Sequence, residues 1–155
     1  MDRKQKRLGE ILVDKGLISQ ENLKAALEEQ QRTKEFLGAI LLKNGYIKEI
    51  DLLKALSEQF NIPLVSLKDK YIDWSLIKQF SPSLLLDHGC VPIKKDDWSV
   101  TIGINNPLDI WALKRCEEGA VGLRLRLVLL SKEDIDEAIR RYKEYIRGSI
   151  NNLFK

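Results

Sequence analysis

The chain has 155 residues, of which 44% are hydrophobic and 32% are charged, with a net charge of +3. This length allows one mid-sized domain or two small ones with a buried core, and the composition is typical of a folded protein and excludes a disordered one. The slight positive charge does not indicate nucleic acid, and no apolar stretch reaches the roughly 18–20 residues that cross a bilayer. No signal-type apolar segment follows the basic N-terminus, so we expect a cytoplasmic protein.

The first elements along the chain are two copies of one pattern. Residues 7–30 read RLGEILVDKGLISQENLKAALEEQ, and residues 36–59 read FLGAILLKNGYIKEIDLLKALSEQ, which gives a period of 29 residues. The identical pairs include Leu8 and Leu37, Gly9 and Gly38, Ile11 and Ile40, Leu12 and Leu41, Gly16 and Gly45, Leu23 and Leu52, Leu27 and Leu56, and Gln30 and Gln59. So many identities at one offset indicate a duplicated structural unit.

Each copy is predicted to form a hairpin of two helices, and two such hairpins can bury each other's apolar faces. In the first copy, apolar residues recur at helical spacing from Leu8 until Gly16, which can end the helix in the left-handed conformation. Ser19 is then the predicted N-cap of the second helix. Gly9 and Gly38 are unexpected, because glycine inside a helix costs about 1 kcal/mol relative to alanine. We interpret them as positions where another group approaches the backbone closely.

After Asn61 the pattern changes to a mixture of strands and helices. The predicted elements are a short strand at 64–67, a helix starting at Ser81 and Pro82, a strand hairpin of 90–94 and 99–104 that turns at 95–97, a helix at about 108–118, a strand at 123–128 and a last helix after Ser131. The predicted fold class is therefore α+β. An all-α domain of tandem helical hairpins at 1–60 precedes a small α/β domain with a short sheet at 61–155.

The paired units resemble the MshEN domain, the N-terminal module of certain type II secretion and type IV pilus assembly ATPases. In that family a tandem RLGxxLxxxGxxxxxxLxxxLxxQ motif with a five-residue spacer binds cyclic di-GMP. Here the first copy fits at every position, the spacer is 31–35, and the second copy departs only at Phe36, where the family pattern has arginine. The segments 88–93, 106–109 and 131–135 also resemble the remainder of such N-terminal regions, in the usual order.

The resemblance implies a cyclic di-GMP site built from both copies, with no metal and no other cofactor. Two similar half-sites suit this ligand, because its two guanines and two phosphates are arranged about a two-fold axis. Arginine can meet the guanine O6 and N7 edge, stack on the base or hold a phosphate, and glutamine offers both a donor and an acceptor. Branched apolar side chains can cover the guanine face. The residues that the resemblance implies for the site are Arg7, Leu8, Gly9, Leu12, Leu23, Leu27, Gln30, Phe36, Leu37, Gly38, Leu41, Leu52, Leu56 and Gln59.

Leucines at this spacing are also the ordinary core of a helical hairpin, so two functions stay open. The chain is either the cyclic di-GMP-binding regulatory region of such an ATPase, or a docking module that binds an inner-membrane platform protein without any nucleotide. The ATPase motor domain is an expected partner, in the same longer chain or separate, because no GxxxxGK[ST] motif is present here. No DNA or RNA partner is expected, and the inner membrane would be reached only through a partner.

No catalytic residue is predicted, and we do not expect this chain to be an enzyme. His88 and Cys90 are close in sequence, but a thiol nucleophile needs a base, an orienting group and a cleft. Cys90 and Cys116 fit no metal-binding spacing, so free thiols are expected. The remaining basic cluster is most simply explained by solvated faces: Arg124, Arg126, Arg140 and Arg141.

Overall fold

The structure is a computed structural model that describes residues 3–154, with side chains from residue 7 onwards. It divides into two compact units, residues 1–62 and residues 63–155. The helices are α1 (Arg3–Asp14), α2 (Gln20–Thr33), α3 (Leu37–Lys43), α4 (Glu49–Phe60), a 3-10 helix (Trp74–Lys78), α5 (Pro82–Leu86), α6 (Ile110–Gly119) and α7 (Lys132–Leu153), and the strands are β1 (Val91–Lys95), β2 (Ser99–Ile104) and β3 (Arg124–Leu129). The α+β fold class predicted from the sequence is confirmed.

The first unit is formed by the two helical hairpins, α1 with α2 and α3 with α4. Contacts between α1 and α4 and between α2 and α3 join one hairpin to the other. The side chains with no exposed surface come from both copies of the repeat: Leu8, Leu12, Ala26, Leu37, Ile40 and Leu41. Burial of these side chains is the main source of stability for such a small helical unit.

Helix α1 begins earlier than the repeat predicts. It has 12 residues and starts at Arg3, whereas α3 has seven and starts at Leu37, directly after Phe36. The residues ahead of Leu8 are lysine, arginine and glutamine, which are good helix formers. The matching residues of the second copy form the spacer, where Lys34 has a φ of 64° that no right-handed helix accepts. The two copies therefore share their hairpins but differ in how each hairpin begins.

The second unit is built on a three-stranded sheet with β2 in the centre. β1 pairs with β2 in antiparallel fashion, as the predicted hairpin requires, and β3 pairs with β2 in parallel after the α6 crossover. The turn between β1 and β2 is held by the carboxylate of Asp96, which accepts the backbone N–H groups of Trp98 and Ser99 at 2.8 Å each. Helix α7 packs on this core through Ile135, Ala138 and Tyr142.

The predicted strand at 64–67 is wrong, because this segment forms only a single parallel bridge between Leu64 and Leu129. The N–H of Val65 donates to the carbonyl of Leu129 at 3.0 Å, and the N–H of Leu129 donates to the carbonyl of Pro63 at 2.7 Å. The chain then leaves the sheet. Leu67 donates its N–H to the Asp134 carboxylate at 3.3 Å and buries its side chain in the core. A tertiary contact thus overrides the strand preference of the segment.

Candidate ligand-binding site

The sequence repeat is reproduced in the way each hairpin turns. Gly16 and Gly45 both have a φ of +72°, the left-handed conformation that glycine adopts without strain. Beyond each glycine the next N–H donates to a carbonyl five residues back, from Leu17 to Leu12 and from Tyr46 to Leu41, both at 2.9 Å. This is the Schellman pattern, and it confirms the prediction that Gly16 ends the first helix. Ser19 caps α2 as predicted, because its hydroxyl accepts the N–H of Asn22 at 3.0 Å.

The second shared feature is a close packing of glycine against leucine inside each hairpin. A Cβ placed on Gly9 would lie 2.5 Å from Cδ1 of Leu23, and one placed on Gly38 would lie 3.1 Å from Cδ2 of Leu52. These two pairs are themselves 29 residues apart. The group that approaches the backbone at these glycines is therefore the leucine of the next helix. This contact accounts for both glycines without any ligand.

The unequal distances predict unequal effects of alanine at the two glycines. Alanine gains about 1 kcal/mol of helix propensity at either site. At Gly9 the buried Leu23 must also move, and such overpacking typically costs about 1–3 kcal/mol. We expect Gly9→Ala to be neutral or destabilising and Gly38→Ala to be neutral or stabilising, as measured by chemical denaturation. In a Leu23→Ala background, Gly9→Ala should become stabilising. A Gly9→Ala variant that is stabilised without that second change would contradict this packing explanation.

Most leucines of the predicted site lie in the core of the first unit. Leu8, Leu12, Leu37 and Leu41 have no exposed surface, and the remaining buried members are Leu23, Leu52 and Leu56. Leu27 is half-buried and is thus the most accessible leucine of the set. In this conformation these leucines are core residues, and few of them are accessible from solvent.

Arg7 and Phe36, the one pair of motif positions at which the two copies differ, are both exposed. Arg7 lies within α1, whereas Phe36 is the N-cap residue of α3 and makes no side-chain capping bond there. Phe36 keeps 37% of its surface accessible to solvent. A large exposed aromatic ring is available for stacking, and the exposed guanidinium is available for an anion or a base edge.

Gln30 holds the spacer between the two copies. Its side chain is 7% exposed, and its Nε2 donates to the carbonyl of Glu35 at 3.1 Å. Gln59, the matching residue in α4, is half-buried. At least one amide hydrogen of Gln30 is thus committed to the protein, so Gln30 has less freedom than the sequence suggests to donate to a ligand.

A polar cluster beside the spacer was not predicted from the sequence. The Glu29 carboxylate accepts a hydrogen bond from Nδ2 of Asn44 at 2.9 Å and lies 3.4 Å from Nζ of Lys43. Lys43 also reaches Glu35 at 3.0 Å. The hydrogen bond from Asn44, together with Lys43, holds the pKa of Glu29 below its usual range, and the bond to Glu35 raises the pKa of Lys43. No sequence signal links these residues, because the contact is between α2 and the far end of α3.

The second unit contains His88, Cys90 and Cys116, the residues considered above as a possible thiol catalyst or metal site. Nδ1 of His88 lies 3.1 Å from Oδ2 of Asp109, whose other oxygen caps α6 by accepting the N–H of Ala112 at 3.1 Å. Both cysteines are buried free thiols, and hydrogen bonding to Cys116 and burial raise the pKa of Cys90. A thiol held protonated is a poor nucleophile. Among residues 3–154 no group of side chains has the composition of a metal site.

No helix in the part of the chain that the structure describes combines the length and apolar character that a membrane span requires.

Comparisons with known proteins identify the family. The MshEN domain family matches residues 60–148, which lie almost entirely in the second unit. The type IV pilus assembly ATPase PilB of Myxococcus xanthus (strain DK1622) is 35% identical over 136 residues, a match that covers 88% of this chain and 24% of PilB. The chain therefore spans about a quarter of the length of this relative.

Two solved structures share the fold. The structure of MshE with cdg superimposes with a TM-score of 0.76 at 23% identity, covering 87% of this chain and 97% of that one. The N-terminal domain of XpsE superimposes with a TM-score of 0.67 at 22% identity, covering 91% and 96%. The family match over more than half of the sequence shows that the chain belongs to the MshEN domain family.

Proposed function

We propose that this chain is a cyclic di-GMP-binding regulatory region of a type II secretion or type IV pilus assembly ATPase. The observation that carries the proposal is the paired geometry of the first unit. Two hairpins 29 residues apart have the same glycine turn, and at matching motif positions one exposes Arg7 and the other exposes Phe36. A ligand with two equivalent halves is the natural occupant of two equivalent hairpins.

The likeness to MshE supports the choice of ligand. Its structure was determined with cdg, an abbreviation of cyclic di-GMP, and its fold extends over 87% of this chain. In our proposal Arg7 contacts a guanine edge or a phosphate, and the ring of Phe36 stacks on the other guanine. Leu27 and the aliphatic surface around the hairpin turns cover the base faces. The buried leucines fix the spacing of the two hairpins, and Gln30 fixes the spacer that joins them.

Isothermal titration with cyclic di-GMP tests the proposal directly. Two half-sites in one chain should bind one ligand per chain, with an affinity that falls as salt is added because Arg7 contacts a phosphate or a base edge. Cyclic di-AMP is the matched control, since adenine lacks the O6 acceptor and should bind more weakly. A stoichiometry of two, or equal affinity for both dinucleotides, would contradict a site made of two guanine-specific halves.

We infer that ATP hydrolysis belongs to a motor domain that this region regulates, and that the region itself performs no catalysis. The motor would lie in the cytoplasm and reach the inner membrane through a platform protein. Pull-down of the motor domain, with and without cyclic di-GMP, measures whether the ligand alters that contact.

A docking function without nucleotide is the second candidate, and Phe36 is the observation that favours it. A phenylalanine has no charge and no hydrogen-bond donor at the position where the first copy has Arg7. Its exposed ring is instead typical of a protein-binding surface. Absence of heat in the titration with cyclic di-GMP would support this second function.

A further inference from the structure

The outer edge of β3 is open along part of its length. At its C-terminal end, the backbone of Leu129 is bonded on the outer side to Pro63 and Val65. Because successive residues of a parallel strand face opposite neighbours, the N–H and C=O of Leu125 and Leu127 face the same outer side as those of Leu129. Within residues 3–154, no backbone hydrogen bond from outside the sheet reaches either residue. The backbone N–H and C=O groups of Leu125 and Leu127 are thus open to pairing with another strand.

A depression of about 740 Å³ runs along this open edge, within the second unit. Its cationic lining consists of Lys70, Lys94, Arg124 and Arg126, and no aspartate or glutamate lines it. Lys94, Thr101 and Arg126 occupy neighbouring register positions across all three strands and so form one row on the sheet face. Apolar side chains, including Val65, Leu125 and Leu127, line the depression between the cations.

The charges of this depression are largely uncompensated. None of its four cations forms a salt bridge with a carboxylate of the described residues. The backbone N–H groups of Trp98 and Ser99, and to a smaller extent the charge of Arg126, lower the pKa of Asp96, so this carboxylate serves mainly the turn between β1 and β2. The four arginines noted in the sequence therefore form two pairs. Arg140 and Arg141 on α7 form salt bridges with Glu137, whereas Arg124 and Arg126 on β3 form none with the described carboxylates.

These observations favour a peptide over a nucleic acid as the occupant. An open strand edge offers carbonyl oxygens and N–H groups at the spacing of an extended backbone, and another extended polypeptide matches both in register. Phosphate groups have no donor for the carbonyls. Arginine and leucine alternate along β3 from Arg124 to Leu127. A partner strand in which acidic and apolar side chains alternate would place its carboxylates beside the arginines and its apolar side chains beside the leucines.

We propose that the open edge of β3 binds an extended acidic segment of a partner protein, which adds a strand to the sheet. The backbone of Leu125 and Leu127 pairs with the incoming strand, and Arg124, Arg126, Lys70 and Lys94 select its carboxylates. This docking surface is independent of the cyclic di-GMP site proposed for the first unit. The competing explanation is that the arginines only protect an exposed edge from aggregation.

The test uses a fluorescein-labelled peptide of alternating glutamate and valine that is long enough to span β3. Anisotropy should show saturable binding to the full chain. Arg124→Glu with Arg126→Glu should weaken it by about tenfold or more, because like charges now face each other. Lys24→Glu with Lys54→Glu, in exposed positions of the first unit, makes the same change in net charge and should have little effect. Equal losses in the two double variants would overturn the proposal.

Two further measurements separate strand addition from simple charge attraction. Hydrogen exchange followed by NMR should show that the peptide protects the backbone amides of Leu125 and Leu127. The backbone amides of Arg124 and Arg126 face β2 and should be protected with or without the peptide. The same peptide with alternate backbone nitrogens methylated keeps its charge but loses its donors, so it should bind at least about tenfold more weakly. Unchanged affinity of the methylated peptide, no binding of the parent peptide, or tighter binding of oligothymidylate would each overturn the proposal.

Discussion

Leu12→Ala is expected to lower the free energy of unfolding by about 2–5 kcal/mol even when no ligand is present. Leu12 has no exposed surface in α1, and its repeat partner Leu41 has none in α3. Truncation of either side chain leaves a cavity that the surrounding helices fill only in part, so Leu41→Ala should cost a similar amount. Urea denaturation followed by far-ultraviolet circular dichroism measures the loss, because the first unit is helical and lacks tryptophan.

Leu27→Ala is the matched control for this prediction. Leu27 belongs to the same repeat but is half-buried, so its truncation removes less apolar surface from the core and should cost less. If Leu12→Ala were no more destabilising than Leu27→Ala, Leu12 would not belong to the core. Leu27→Ala should instead lower the affinity for cyclic di-GMP in a protein that remains folded.

Most positions of the repeated motif have a structural role that requires no ligand. The identities at Leu8, Leu12, Gly16 and their partners follow from helix packing and helix termination alone. A duplicated hairpin needs them whether or not it binds a ligand. Any ligand chemistry must therefore depend on the few motif positions that face solvent.

The sequence predicted best those features that depend on neighbouring residues. The turn at Gly16, the cap at Ser19 and the helix start at Ser81 and Pro82 were each identified correctly, because the relevant bonds span only a few residues. Ser131 also caps α7, where its hydroxyl accepts the N–H of Asp134 at 3.1 Å.

Features that depend on distant residues were predicted less well. The segment 64–67 has strand-like side chains, yet Leu67 joins the core and the bond to Asp134 takes it away from the sheet. Gly9 was interpreted as a position of close approach to the backbone, but the approaching group, the side chain of Leu23 in the next helix, could not be identified from the sequence. The contact between Glu29 and Asn44 is set by the packing of two helices and has no local signature.

Arg7→Ala should weaken cyclic di-GMP binding more than Phe36→Ala does. A charge-assisted hydrogen bond to a ligand contributes about 1.5–3 kcal/mol, and it is this contact that is sensitive to salt. Loss of the Phe36 ring removes stacking, worth roughly 1–3 kcal/mol per base, but removes no charge. Calorimetry at two salt concentrations should show that most of the salt dependence disappears in Arg7→Ala and persists in Phe36→Ala. Equal salt dependence in the two variants would contradict this assignment of roles.

Phe36→Arg should tighten binding, by an amount on the order of 1 kcal/mol, because it gives the second copy the guanidinium that the first copy has. Phe36 makes no capping bond at the start of α3, so its replacement removes no hydrogen bond, although a cation near a helix N-terminus costs about 0.3–1 kcal/mol. Phe36→Lys is the control, since it adds the charge without the planar fork that meets a guanine edge, and it should gain less. If the natural sequence binds no cyclic di-GMP while Phe36→Arg does, the chain is a receptor fold that has lost its ligand, and the docking function is correct. If neither binds, the repeated hairpins serve only as a scaffold for the second unit.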